Sequence, residues 1–227
     1  VNDDPGSPLR MPRFVLAFSV LVALAGVGAA QVPLLPDEIE RTDVIAIERD
    51  GRDLFAFDAL TGSRATKRLD VDEVVRFQAS RGRVGVVVTD RRLLGVYPGG
   101  GWVELRLRLD EEPSDAVLVE DRLALLATNR RALAFNGADG WIAESLSSNE
   151  VATSLRVGAA VGVVTTNRRA LGIAPRLRSF AAEGLQIREG LEAVTAQDAL
   201  ATIRTERRIL VFSAPRGTWT TQKRRLR

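Results

Sequence analysis

Two textures of apolar and polar positions run along most of this chain. Segments such as Val84-Gly85-Val86-Val87-Val88 and Ala132-Leu133-Ala134-Phe135 are apolar at consecutive positions, whereas Val103-Glu104-Leu105-Arg106-Leu107 alternates. A short continuous run predicts a strand buried on both faces, and alternation predicts a strand with one wet face. Within one period the pattern predicts strand a over 73–80, b over 83–89, c over 92–97 and d over 102–109. Tight turns join a to b at Arg81-Gly82, with counterparts at Glu120-Asp121, Gly158-Ala159, Gln197-Asp198 and Thr42-Asp43.

The whole pattern recurs. Thr89-Asp90-Arg91-Arg92 returns as Thr128-Asn129-Arg130-Arg131, Thr166-Asn167-Arg168-Arg169 and Thr205-Glu206-Arg207-Arg208, so Arg91, Arg130, Arg168 and Arg207 are 39, 38 and 39 residues apart. Arg52, in Asp50-Gly51-Arg52-Asp53, stands one step earlier in a degenerate copy. An aromatic keeps the same beat through Trp102, Trp141, Phe180 and Trp219. Small residues recur in strand b at Ala46, Gly85, Ala124, Gly162 and Ala201, and in strand c at Ala56, Gly95, Ala134 and Gly172, a row broken by Val211. Such rows mark places where neighbouring sheets approach closely.

Five copies of a four-stranded unit, with buried middle strands and wetter outer ones, make an all-β repeat fold. At the level of architecture the chain resembles five-bladed β-propeller repeat proteins. That resemblance implies blades at about 36–71, 72–110, 113–148, 150–186 and 190–226, with strand a innermost, d at the rim and the ring closed between the first blade and the fifth. The Trp-Asp, kelch and metal-binding signatures of named propeller families are missing, so the resemblance carries no function with it.

Residues 1–30 are set apart from the fold. Met11-Pro12-Arg13 supplies a basic start, Phe14 to Val27 an apolar stretch and Gly28-Ala29-Ala30 a small-residue cleavage site before Gln31. These features predict a secretory signal, with residues 1–10 an upstream extension. The apolar stretch is short for a membrane span, which needs roughly 20 residues. An exported protein of a bacterial periplasm or the extracellular space is the expectation, and with no Cys in the chain its core must hold without disulfides.

Composition narrows the chemistry. His and Cys are both absent, which removes Ser-His-Asp and Cys-His nucleophilic centres and the common zinc sets. No catalytic residue, metal or cofactor is expected. Of the 32 basic residues only Lys67 and Lys223 are Lys, and the net charge of +3 is too small to require a nucleic-acid partner. The remaining enzymatic alternative is a carboxylate-dependent glycan hydrolase using the strand-a acids Glu38, Glu40, Glu73, Asp115 and Glu192.

Two rows of residues are left as candidate sites. Arg52, Arg91, Arg130, Arg168 and Arg207 share a face with acidic d–a connections, so they either brace those loops through carboxylate and carbonyl hydrogen bonds or form an anion-collecting ring. Repetition in every blade favours bracing. Trp102, Trp141, Phe180 and Trp219 open strand d, where they either pack over the blade interior or stack on sugars. The sequence thus reads as a monomeric, non-enzymatic binding module whose partner is a protein or a glycan.

Overall fold

In a computed structural model, the described residues are 43–224 apart from 138, 187 and 188. They form strands only, with no helix among the described residues. The first sheet holds β1 (Ile45–Asp50), β2 (Asp53–Asp58) and β3 (Arg64–Arg68), and the second β4 (Val75–Arg81), β5 (Val84–Thr89), β6 (Arg92–Val96) and β7 (Val103–Arg106). The third holds β8 (Pro113–Glu120), β9 (Leu123–Thr128), β10 (Arg131–Phe135) and β11 (Trp141–Ser145). The fourth holds β12 (Ala152–Gly158), β13 (Val161–Thr166), β14 (Arg169–Ile173) and β15 (Ala181–Gly184), and the fifth β16 (Leu191–Gln197), β17 (Leu200–Thr205), β18 (Arg208–Ser213) and β19 (Thr218–Lys223). Each sheet is an antiparallel meander in chain order, so strands a to d of the repeat lie side by side. In the first sheet only b, c and d are seen. The strand a expected for it, like the signal segment expected over 1–30, falls on residues outside the described ones.

Two boundaries differ from the sequence pattern, each for a local reason. The a–b turns are Gly82-Arg83, Asp121-Arg122, Ala159-Ala160 and Asp198-Ala199, one residue later than the pattern places them, because Arg81 pairs with Val84, Glu120 with Leu123, Gly158 with Val161 and Gln197 with Leu200. In two of these turns the first position takes a positive φ, 54° at Gly82 and 39° at Asp198, as in the two-residue hairpin turns that match strand twist. Strand d is shorter than its alternation suggests. After Arg106 the chain leaves the sheet for a turn in which Glu111 N donates to Arg108 O at 3.1 Å and Asp110 has φ 57°.

Consecutive sheets share apolar cores. Ile45, Ile47, Leu54 and Ala56 of the first meet Val87, Leu94 and Val96 of the second, while Val84 and Val86 of the second meet Ala124 and Phe135 of the third. Strands β5, β9 and β13 are buried at every position, as their continuous apolar runs require. The small-residue rows lie in these junctions with an alternation of their own. A Cβ on Gly172 would lie 2.6 Å from the Phe212 ring, and a Cβ on Gly85 would lie 2.7 Å from Ile47 Cδ1. Gly95 faces Phe135 in the same manner. Where the small residue is Ala, the facing residue is smaller than Phe: Ala56 shares a core with Val96, and Ala134 with Ile173. In the strand-c row Gly95 and Gly172 are thus paired with Phe, and Ala56 and Ala134 with a β-branched side chain.

The same rule bears on the ends of the array. A first-to-fifth junction equivalent to the others would set Phe57 against Val211, a pair larger than any at the internal junctions. Among the described residues the outward faces of these sheets keep exposed apolar side chains, Phe57 at 43% and Leu200 at 51%. The closure expected from the repeat count is therefore not displayed by the burial pattern.

Candidate functional site

The Thr-x-Arg-Arg hairpins position most of the charged chemistry in the chain. In each, the Thr hydroxyl accepts from the two backbone N–H groups that follow, as Thr89 does from Arg91 N at 3.1 Å and Arg92 N at 2.9 Å. This side-chain-to-backbone turn fixes the b–c hairpin. The same hydroxyl reaches the first carboxylate of the sheet, Glu73, at 2.8 Å. The second Arg of the motif then closes on that carboxylate with two bonds, Arg92 Nε and Nη2 each at 2.8 Å from Glu73. Its Nη2 also donates to Arg68 O at 3.1 Å, on the preceding sheet.

The unit is rebuilt in every four-stranded sheet. Arg131 holds Glu111 at 2.7 and 2.6 Å, Arg169 holds Glu150 at 2.8 and 3.3 Å, and Arg208 holds Glu189 at 2.8 and 2.9 Å. Each guanidinium also reaches a carbonyl of the preceding sheet, at Arg106, Ser145 and Gly184. The Glu caps its own turn as well, with Asp70, Arg108, Ser147 and Gln186 N–H groups donating to it at 2.8, 2.8, 2.9 and 2.8 Å. Burial pushes the Glu73, Glu111 and Glu150 carboxyls up, but the bonds from Arg, backbone and Thr outweigh it and hold all three below the ordinary range. At Glu189 the Arg208 hydrogen bonds dominate, and the carboxyl is lowered to about 2.

The first Arg of each motif sits elsewhere. Arg91, Arg130, Arg168 and Arg207 are exposed, and among the described residues the side chains of the first three take no ion pair or hydrogen bond. Among the described residues the Arg207 side chain reaches only Gln186 Oε1, at 3.2 Å. Arg52, in the degenerate first copy, does brace a loop, with Nε and Nη2 on Leu69 O at 3.1 and 2.7 Å. Thus the buried clamps use the neighbouring residues Arg92, Arg131, Arg169 and Arg208, which the sequence reading passed over. A signal for them was present: Glu73, Glu111, Glu150 and Glu189 lie 38, 39 and 39 residues apart and precede the second Arg by 19, 20, 19 and 19 residues.

The aromatics tie sheet to sheet. The indole N–H groups of Trp102, Trp141 and Trp219 donate to Ala65 O at 3.3 Å, Val103 O at 3.2 Å and Ala181 O at 2.8 Å, each on strand d of the preceding sheet. Trp141 and Trp219 also lie against Phe135 and Phe212, with centroids 5.1 and 5.2 Å apart. Phe180 has no N–H to give and is buried in the core between the third and fourth sheets. Among the strand-a acids, Glu73 is clamped as described, and Glu192 is paired with Arg224 at 2.7 Å and Arg204 at 2.9 Å. Asp115 is exposed in β8, and Glu38 and Glu40 are outside the described residues.

On the opposite face, where the a–b turns and c–d loops gather, the surface is less committed. Backbone bonds link successive turns there, from Val44 N to Gly82 O at 2.8 Å, Arg83 N to Asp121 O at 2.7 Å and Ala160 N to Asp198 O at 2.7 Å. Above them open two cavities of about 210 and 250 Å³ that share Arg122 and Pro175. The first is lined by Arg83, Tyr97, Pro98 and Asn136 as well, and the second by Arg176, Ala214 and Pro215. No Asp or Glu lines either one. Arg122 has a partner in Asp121 at 3.5 Å, whereas the Arg83 and Arg176 side chains have no ion pair among the described residues. Asn136 Nδ2 donates to Pro175 O at 2.7 Å and Leu177 O at 3.2 Å, joining the third sheet to the fourth and shaping the wall between the cavities. The groove so formed offers guanidinium donors between apolar patches, and no paired acid and base.

No protein-family model matches this chain, and no curated protein matches it. Among solved structures it is similar to human WBSCR16, with a TM-score of 0.40 and 10% identity over 70% of this chain and 56% of that one. It is also similar to Kluyveromyces lactis Hsv2 with loop 6CD replaced by a Gly-Ser linker, with a TM-score of 0.36 and 10% identity over 77% of this chain and 78% of that one. A third neighbour is YCF48 bound to a D1 peptide, with a TM-score of 0.36 and 14% identity over 79% and 69%. The chain spans little more than half of the WBSCR16 length. Five antiparallel sheets packed face to face in chain order are what this protein displays on its own. Its architecture is propeller-like.

Proposed function

We propose that this chain is an exported, non-enzymatic interaction module that holds a protein partner on the face formed by its a–b turns and c–d loops. The observation that carries this reading is the division of labour between the two faces. On one, the Thr, the second Arg and the Glu of each repeat are consumed in bonds to one another and to the sheet before, and the first Arg is left exposed. On the other, a groove across successive sheets keeps Arg83, Tyr97 and Arg176 available. A surface of this kind suits recognition, since hydrogen-bond donors beside apolar patches fix a partner without chemistry. A hydrolytic reading draws less support, because Glu73 and Glu192 are held by Arg side chains that favour their ionised form. A glycan reading draws less too, because the recurring indoles spend their N–H groups on neighbouring strands.

The test is capture from an envelope extract by the mature chain, run beside a double variant, Arg83→Glu with Arg176→Glu, and a control, Arg130→Ala, on the far face. Capture of a protein by wild type and control but not by the double variant is the expected result. Capture that all three share equally, or selective binding on a glycan array, would overturn the assignment. Export has its own check: N-terminal sequencing of the protein recovered outside the cytoplasm should begin at Gln31.

A further inference from the structure

The groove also says what chemistry its partner carries. This step rests on the interaction reading above and narrows it. The two adjoining cavities are lined by Arg83, Arg122 and Arg176 together with the apolar surfaces of Tyr97, Pro175 and Pro215. With no carboxylate lining the walls, Arg83 and Arg176 present positive charge that no ion pair among the described residues offsets, and Arg122 adds a guanidinium already held in place by Asp121. Guanidinium groups favour carboxylates because their planar forks donate two parallel hydrogen bonds, and they do so best beside surfaces that exclude water.

We infer that this groove binds an extended acidic segment of a protein, in which carboxylates alternate with small apolar residues. Acidic residues would meet Arg83, Arg122 and Arg176 in turn, and the residues between them would lie on Tyr97, Pro175 and Pro215. The alternation matters because successive side chains of an extended chain point to opposite sides. The exposed row Arg91, Arg130 and Arg168 is a weaker candidate for the same chemistry, since exposed carboxylates such as Asp70 and Asp110 share its face.

The probe is a short fluorescent peptide of alternating Glu and Pro, read by anisotropy on the mature full-length chain and compared with the same peptide bearing Gln for Glu. The Glu peptide should bind at least about tenfold more tightly than the Gln peptide, and its affinity should fall with added salt. Arg83→Glu with Arg176→Glu should weaken it by at least about the same factor, since like charges across an interface repel. Arg130→Ala and Arg168→Ala should leave it unchanged, and every variant should keep the wild-type far-ultraviolet spectrum and melting midpoint. Equal binding of the two peptides, indifference to the double variant, or displacement by heparin that depends on Arg130 and Arg168 would each overturn the inference. If neither peptide binds while partner capture still depends on the groove, the acidic partner is wrong and the interaction module stands.

Discussion

Gly172 and the ring of Phe212 fit together with no room for a side chain between them. A methyl group at Gly172 would lie 2.6 Å from two ring carbons of Phe212, whose ring is fully buried between the fourth and fifth sheets and backed by Trp219. Neither ring can retreat. Gly172→Ala should therefore cost on the order of 1–3 kcal/mol, the usual range for overpacking a core. Adding Phe212→Ile should recover most of that loss, because it reproduces the Ala134 and Ile173 pairing of the preceding junction. A double variant no more stable than Gly172→Ala alone in urea denaturation would show that volume matching is not what the alternation of Gly and Ala encodes.

Neighbouring arginines should behave in opposite ways. Arg131 is almost wholly buried and ends on a Glu111 whose side chain is 0% exposed, so Arg131→Ala leaves a carboxylate in the interior without its counter-charge. Breaking one side of a buried pair costs about 3–5 kcal/mol. Arg130 points into solvent from the adjacent position, and Arg130→Ala should stay within about 0.5 kcal/mol. The two variants differ by one step along the chain, so denaturation midpoints measured side by side decide the matter. Equal losses would mean that Arg130 carries a bond that the geometry does not display.

These pairs explain what could be read ahead of the structure and what could not. Strand order and the buried middle strands were legible because period-two alternation and continuous apolar runs report directly on how many faces of a strand are dry. The indole bonds were half legible, since the spacing of Trp102, Trp141 and Trp219 marks a shared role while the accepting carbonyls belong to the backbone and leave no trace in the residues. The choice between Arg91 and Arg92 was the hard part. In an extended strand adjacent residues face opposite sides, so the identity of the buried Arg depends on a hairpin register that Thr89 sets through its hydroxyl. The repeated Glu at a constant distance upstream was the usable clue. The groove was only half legible: Arg83 and Arg122 hold the same turn position 39 residues apart, but Ala160 and Ala199 stand there in the next two copies, and Arg176 comes from a c–d loop whose length varies from copy to copy.

The buried clamps should give the fold a particular acid sensitivity. The Glu189 carboxyl is lowered from an ordinary 4.5 to about 2 by Arg208, the Gln186 N–H and Thr205, and Glu104 is brought to about 2 against its burial by Lys67 and Arg92. A carboxyl whose folded pKa is depressed lends stability that is fully present above the unfolded pKa and is lost as pH falls through the folded one. Urea midpoints should therefore hold from neutral pH down to about 5 and then drop as pH falls toward 2. Glu189→Gln starts less stable but lacks that titration, so its loss over the same interval should be smaller than that of the wild type. Parallel curves for the two proteins would remove Glu189 from the account of acid unfolding.

The last prediction separates packing from ligand stacking at the recurring aromatics. Trp219 donates to Ala181 O at 2.8 Å and lies against Phe212, with its ring partly covered by the core of the fourth and fifth sheets. Trp219→Phe keeps an aromatic ring but gives up the donor, and the Ala181 carbonyl stays at the rim where water can reach it. The loss should be about 1 kcal/mol, the net worth of one neutral hydrogen bond. The chain makes a similar exchange itself, for Phe180 stands at the equivalent position of the fourth sheet and is buried without any such bond. Trp219→Ala should cost more, about 3–5 kcal/mol, because it empties the space beside Phe212 as well. If these indoles instead served as stacking platforms, Trp219→Ala would leave the melting midpoint nearly unchanged and abolish binding of a sugar to the wild-type surface, and that pair of results would return the glycan reading to first place.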